Sequence, residues 1–354
     1  ELNSHLLRIL ESAGYTSSSR LLYHAREAGS DDDIRRLAVL AADEASQLGS
    51  RREAAEYYRV AVEAQGRDAA ANLLEDAAYA SYLVGSEVSA IEYQNRALEI
   101  HTANGDQLRE GDGLRRRSRF YWSSGEFVAA REDARAAVRT LANLRGPELA
   151  MAYSNSAQVY MLNREFGSVR EPAESAIEIA EELGRMDIVS HSLNNLASAL
   201  IYSDPERSRR DMARSLELAL EIGHVDHAAR AYVNSTYSEM YRCQYDAAKS
   251  FAAVGIDYCD KQELDGYRVY LTGALALAEL GLGELESAER NAQLAIRQAH
   301  NRQVSLYRHP ASIALLKYQI RTGSALNQNE IDYLDSFRSD ETELQRLEPY
   351  AECM

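Results

Sequence analysis

The sequence predicts an all-α chain: a right-handed solenoid of about eight helical hairpins repeating every ~40 residues. Three observations predict it. Turn residues recur at Gly49, Gly85, Gly125, Arg164, Ser203, Cys243, Gly283 and Gly323, at intervals of 36, 40, 39, 39, 40, 40 and 40. Only five prolines occur in 354 residues, and proline is the residue that breaks helix interiors. The stretch Pro147 to Gly184 reads as one complete unit. Its first half places Leu149, Ala152, Tyr153, Ala157, Tyr160 and Met161 near helical spacing, and its second half does the same with Val169, Ala173, Ala176, Ile177 and Ala180. Each helix carries a single apolar stripe and is too short to stand alone, so the unit must stack on copies of itself.

Taken in order, residues 1–30 lie outside the period. They hold two helical patterns, LNSHLLRILES and SRLLYHAREAG, and read as a helical cap or the tail of a preceding domain. Ser30-Asp31-Asp32-Asp33 is expected to cap the first repeat helix, with carboxylates at its positive end. Repeats then occupy residues 31–338. Small residues fall five after each turn (Ala54, Ala90, Ala130, Val169, Ser208, Ala248, Ala288). They fall again twelve after it (Ala61, Ala97, Ala137, Ala176, Ser215, Gly255, Ala295), where they let helix backbones approach. Two after the turn, Phe127, Phe166, Tyr245 and Leu285 plug the gap between paired helices, and Gly66, Gly184 and Gly223 end second helices. In the last unit, Gly323 to Asn329 is a looser turn before a short helix, Glu330 to Phe337. Residues 339–354, with Glu341 to Met354, read as the start of a further helix. A chain that begins at Glu1 rather than methionine reads as a piece of a longer protein.

Units such as GLGELESAERNAQLAI (281–296) and SSGEFVAAREDARAAV (123–138) resemble the tetratricopeptide motif: a turn glycine, an aromatic or apolar residue, then two small residues in the second helix. The period here is longer than that motif's usual ~34 residues, and its terminal proline is mostly missing. A second resemblance spans almost the whole chain. LLYHAREAG, ELAMAYSNSAQVYML, SLNNLASALI, HAARAYVNSTY and TELQRLEP are similar to the C-terminal helical region of large LuxR-type ATP-binding regulators. Those are STAND-class proteins with an ATPase module, a tetratricopeptide sensor and a DNA-binding helix-turn-helix. The resemblance implies that ATPase and DNA-binding modules belong to the parent chain. This segment has no GxxxxGK followed by Ser or Thr to hold phosphates, and no basic helix-turn-helix.

A formal charge of −16 disfavours direct contact with nucleic acid, which needs clustered Lys and Arg. Hydrophobic residues make up 45% of the chain but never run to the ~20 residues of a membrane span. No signal peptide is visible. Cys243, Cys259 and Cys353 form no CxxC pair, which fits a reduced, cytoplasmic chain.

The candidate site is a row of asparagines. Asn155, Asn195 and Asn234 hold the same place in the first helix of three successive units. This register takes Asn195 rather than Asn194 and puts a one-residue deletion near Asp204-Pro205. An amide can pair with both the C=O and the N–H of an extended peptide, so the row reads either as a groove floor or as ties between neighbouring helices. The resemblance to tetratricopeptide proteins implies the groove. Counting along the same face adds Arg116, Arg119 and Trp122, then Gln158, His191 and Ser198, then Arg230, Tyr237, Tyr241 and Tyr270. Amides, Arg and Tyr suit a peptide or a polar, anionic small ligand. Arg115 to Arg117 reads as an anion site or a solvated face. The 22 tyrosines against 5 phenylalanines read as groove lining or as core with hydroxyls at the rim. His224 and His227 have i, i+3 spacing around Asp226, which reads as an N-cap, and no cysteine joins them as metal ligand. No nucleophile–base set or carboxylate pair stands out, so no enzyme activity and no cofactor is expected. The expected function is a sensor or protein-interaction region that binds a peptide, protein or small inducer in its groove. The competing reading is an oligomerisation or assembly scaffold, a homo-oligomer without a groove ligand.

Overall fold

The computed structural model describes residues 2–15, 17–302 and 306–335. Among these there are eighteen α-helices and no strand. The chain divides into two compact units, Glu1–Asp106 with Gln262–Leu264, and Gln107–Lys261 with Asp265–Met354.

The first unit stacks three hairpins: α1 (Leu2–Ser12) with α2 (Ser18–Ala28), α3 (Asp31–Gln47) with α4 (Arg51–Gln65), and α5 (Ala71–Leu83) with α6 (Glu87–Ala103). Ser30 stands at the N-cap of α3, as expected, but its hydroxyl donates to Asp33 Oδ2 (2.6 Å) instead of accepting a backbone N–H. The three aspartates fill the first turn of α3 and face the helix dipole.

The second unit contains six hairpins. They are α7 (Gln107–Ser124) with α8 (Phe127–Leu141), α9 (Pro147–Leu162) with α10 (Arg170–Glu182), and α11 (Met186–Ala199) with α12 (Pro205–Glu221). They continue with α13 (Val225–Tyr241) and α14 (Tyr245–Lys261), α15 (Asp265–Leu282) and α16 (Leu285–Arg302), and α17 (His309–Thr322) and α18 (Gln328–Asp335). The last helix starts two residues earlier than expected; the expected helix at Glu341–Met354 lies outside the described residues.

Seven of the eight turn positions read from the sequence adopt positive φ, from 56° at Cys243 to 91° at Gly125. The turns close with paired backbone bonds. At one of them Cys243 N–H donates to Met240 C=O (2.9 Å) and Gln244 N–H to Glu239 C=O (2.9 Å). Ser203 is the exception. There the chain is closed from the far side, with Pro205 opening α12 and the Asp204 carboxylate accepting Arg207 N–H (3.1 Å). Arg164 and Cys243 hold left-handed geometry with a side chain attached. Cys243→Gly is therefore expected to stabilise the protein by about 0.5–1 kcal/mol, because relief of the Cβ strain exceeds the added freedom of the unfolded chain. A raised urea midpoint checks this.

The small residues form the seams between helices. Ala61, Ala97, Ala137, Ala176, Ser215 and Ala295, all twelve after a turn, have no exposed surface. In that row Ser215 keeps its hydroxyl satisfied by donating to Ser190 C=O (2.7 Å) across the hairpin α11–α12. Tyr245 and Leu285 pack against the buried cluster that contains Ala248, Ala274, Leu277 and Ala288.

Candidate functional site

The first helices of successive hairpins in the second unit line two adjoining cavities. The smaller, about 460 Å³, is walled by Arg119 and Trp122 of α7, Gln158, Met161 and Leu162 of α9, Arg230, Val233 and Asn234 of α13, Tyr267 and Tyr270 of α15, and Tyr307. The larger, about 840 Å³, shares Trp122, Met161, Leu162, Val233, Asn234 and Tyr270, and continues past Ser198, Tyr202, Tyr237 and Tyr241. Sharing these six residues, the two make one open groove.

Aromatic rings run along it. Tyr202 lies 6.1 Å from Tyr241, Tyr237 lies 6.4 Å from Tyr241 and 5.7 Å from Tyr270, and Tyr270 meets Tyr307 edge-on at 6.4 Å. The Arg119 guanidinium sits 5.1 Å over the Trp122 ring.

Behind the wall lies a buried polar network. Arg119 Nη2 donates to Tyr267 OH (2.9 Å), and Tyr267 OH donates to Asp226 Oδ1 (2.6 Å). Arg230 Nη2 donates to Asn195 Oδ1 (2.8 Å), and Asn195 Nδ2 donates to Ser154 C=O (3.0 Å). Asn195 Nδ2 also lies 3.3 Å from His191 Nδ1, and an amide nitrogen only donates, so that ring nitrogen is the acceptor. Ser154 Oγ meets the same nitrogen at 2.6 Å. Burial, then Arg230, hold His191 well below the usual histidine pKa; burial, then His224 and Arg230, do the same for His227. The His227 ring lies 5.0 Å from His191 and stacks on His224 at 3.5 Å. Burial, then Asp226, push the Tyr267 hydroxyl well above its usual value, so it stays protonated and keeps donating.

Of the residues expected at the site, Arg119, Trp122, Gln158, Ser198, Arg230, Asn234, Tyr237, Tyr241 and Tyr270 line the groove. Asn155, Asn195 and His191 do not reach its lining; they are buried between helices. Each asparagine of the row bonds back to the preceding first helix: Asn155 Nδ2 to Ser118 Oγ (3.1 Å), Asn195 to Ser154, and Asn234 to Asn194 Oδ1. Asn234 alone of the three is also half-exposed on the groove. Arg115 and Arg116 fork onto Asp112 (2.7 and 2.8 Å), and Arg117 grips Asp133. Burial alone would raise the Asp112 carboxyl, and the two guanidinium groups hold it well below the carboxylate range. The expected N-cap role of Asp226 is corrected. His224 occupies the cap of α13, its Nδ1 accepting His227 N–H, and Asp226 turns inward to Tyr267. No group of three or more His, Cys, Asp or Glu among the described residues is placed to hold a metal. Sequence reading missed Tyr267, Tyr202 and Tyr307. The first was legible as the residue one turn before Tyr270.

The stacked hairpins define a tetratricopeptide-type helical repeat chain. No protein-family profile matches the sequence, and no curated protein matches it. Among solved structures, a Rap protein complexed with Competence and Sporulation Factor is 13% identical, with a TM-score of 0.57 over 91% of this chain and 96% of that one. A plasmid Rap conjugation gene regulator in complex with the Phr* peptide is 12% identical, with a TM-score of 0.57 over 79% and 77%. A STAND protein with a tetratricopeptide repeat sensor from Pyrococcus horikoshii is 14% identical, with a TM-score of 0.48; this chain covers about half (52%) of its length. What the two Rap structures share with this chain is the fold. No helix of the described residues is long and apolar enough to cross a membrane.

Proposed function

We propose that the groove of the second unit is a recognition site for an extended peptide segment of a signal or partner. On this reading the chain is the non-catalytic, cytoplasmic sensor region of a LuxR-like ATPase regulator. The observation that carries the reading is the continuous groove itself, lined by a half-exposed amide, two arginines and a file of tyrosine and tryptophan rings. Rings and amides of this kind supply contact area and sequence-tolerant hydrogen bonds to a peptide. Two structures of the same fold are complexes with a named factor or peptide, which supports a peptide as the class of ligand. A ligand that prefers one arrangement of the hairpins would transmit its presence to attached modules.

The test is selection of peptides from a displayed library on the purified chain, followed by titration of the selected sequences. Binding is expected to weaken at least tenfold in Asn234→Ala/Tyr270→Ala, with a small change in melting temperature. Equal affinity in that variant removes the groove from the account. Concentration-dependent sedimentation with no selected peptide supports the assembly scaffold instead.

A further inference from the structure

We propose that the crevice between α12, α13 and α14 is a second ligand site, built for a neutral ester or ketone on a hydrocarbon body. It is separate from the peptide groove: among its described lining residues, only Ser238 also lines that groove.

The crevice spans about 970 Å³. Met212, Leu216 and Leu220 stand at i, i+4 and i+8 on α12 and give it an apolar wall, to which Phe251 of α14 adds. Such a wall favours a hydrocarbon body. From α13 and the residue after it come Ser235, Ser238 and Arg242, at i, i+3 and i+7 on one face. The charged lining residues are matched. Arg209 pairs with Glu206 (2.8 Å), Glu217 with Arg214 (2.6 Å), and Glu239 with Arg242 (2.9 Å). A carboxylate entering beside Arg242 would also meet Glu239, so the ligand's polar group is uncharged.

Two buried donors define that group. Ser238 is 2% exposed, and its Oγ has no hydrogen-bond partner among the described residues. The Arg242 side chain is 10% exposed. Its Nη1 donates to Glu239 Oε1 and its Nη2 to Ser208 Oγ (both 2.9 Å), whereas its Nε–H has no partner among the described residues. Both atoms are closed to water, so solvent does not satisfy them, and an unmet buried donor is unfavourable. The Nε–H can only donate, and the Ser238 hydroxyl donates once its single side-chain torsion turns it toward the crevice. The two residues are one turn apart, about 6 Å along the helix, which one carbonyl group can meet from between them. An ester or ketone accepts without donating and carries no charge, whereas an ammonium group offers no acceptor.

Methyl octanoate, octanoate and octylammonium are the probes, titrated into the whole chain and followed by calorimetry and ligand-observed NMR. The ester is expected to bind saturably and at least tenfold tighter than either ion. Leu216→Trp fills the crevice from a half-buried position and is expected to abolish ester binding while leaving library peptides bound. Ser238→Ala is expected to weaken the ester at least threefold and to raise the melting temperature of the free protein, because the unmet hydroxyl is gone; simple damage to the fold would lower both. Asn234→Ala/Tyr270→Ala is expected to leave ester affinity unchanged. Octanoate binding as tightly as the ester, or ester affinity unchanged in Ser238→Ala or in Leu216→Trp, overturns the proposal. Ester binding lost in Asn234→Ala/Tyr270→Ala but kept in Leu216→Trp assigns the ester to the groove and overturns the crevice site. Failure to select any peptide, with the ester behaving as expected, removes the groove and leaves the crevice.

Discussion

Acidification from about pH 7.5 to about pH 5 is expected to destabilise the second unit, and replacing His191 or His227 to flatten that loss. Both rings are buried and neutral in the folded protein, with pKa values well below the 6.5 of an unperturbed histidine. In the unfolded chain each takes up a proton near 6.5. Stability from these groups is therefore complete above that value and is lost as pH falls below it toward the folded pKa. In that window each ring contributes a slope of up to about 1.4 kcal/mol per pH unit. His224, lowered by burial, adds to the same trend. The charged groups facing the pair work the same way: Arg230 and Arg115 disfavour protonation of both rings, and Arg119 that of His191. Asp226 and Asp187 favour the charged form of His224.

The carboxylates titrate in a separate window. The folded pKa of Asp112 and of Asp187 is depressed, so their contribution is present above the unfolded value of 3.8 and is lost only below it. Urea unfolding followed by Trp122 fluorescence reports the second unit specifically. At a series of pH values, His191→Gln and His227→Gln should each reduce the slope below pH 6.5 by up to about 1.4 kcal/mol per pH unit, whatever they do to stability at pH 7.5. Unchanged slopes in both variants would show that the rings titrate alike in the folded and unfolded chains.

The repeat was legible because its physics is local. A left-handed turn every ~40 residues and small residues on the helix seams are direct consequences of backbone geometry and close approach. Cys243 and Arg164 were found by interval although neither is glycine, and both hold positive φ. Ser203 shows where interval reasoning ends: it marks the turn but lacks the geometry, because Asp204 and Pro205 do the work from the next helix. The site was legible less evenly, because residues three and four apart share a helix face only approximately and the groove takes only part of that face. Gln158 and Trp122, further along the same helices as Asn155 and Ser118, reach the cavity, whereas Asn155 is shut between α7 and α9. The fork of Arg115 and Arg116 on Asp112 was visible as i, i+3 and i, i+4 spacing. The bond from Arg117 to Asp133 crosses to α8 and has no such signal.

Gly273→Ala is expected to destabilise the second unit by about 1–3 kcal/mol, against the sign that helix propensity alone would give. Gly273 lies inside α15, where alanine in isolation is better by about 1 kcal/mol. A Cβ there would sit 2.6 Å from the backbone nitrogen of Ala311 and 3.1 Å from its Cα, with Pro310 Cβ at 3.0 Å. Those atoms belong to the backbone and first turn of α17, which no side-chain rotation can clear, so the two helices must move apart. Gly167→Ala is the control, since a Cβ at that position meets nothing within 4 Å and its φ is not positive. The consequence reaches the groove, because α15 also carries Tyr267 and Tyr270, and Tyr267 holds Arg119 against Asp226. Gly273→Ala should therefore shift Trp122 emission as well as lower the unfolding midpoint, while Gly167→Ala does neither. A Gly273→Ala protein as stable as the control, with unaltered emission, would mean that α15 and α17 are not in the close contact that positions this wall of the groove.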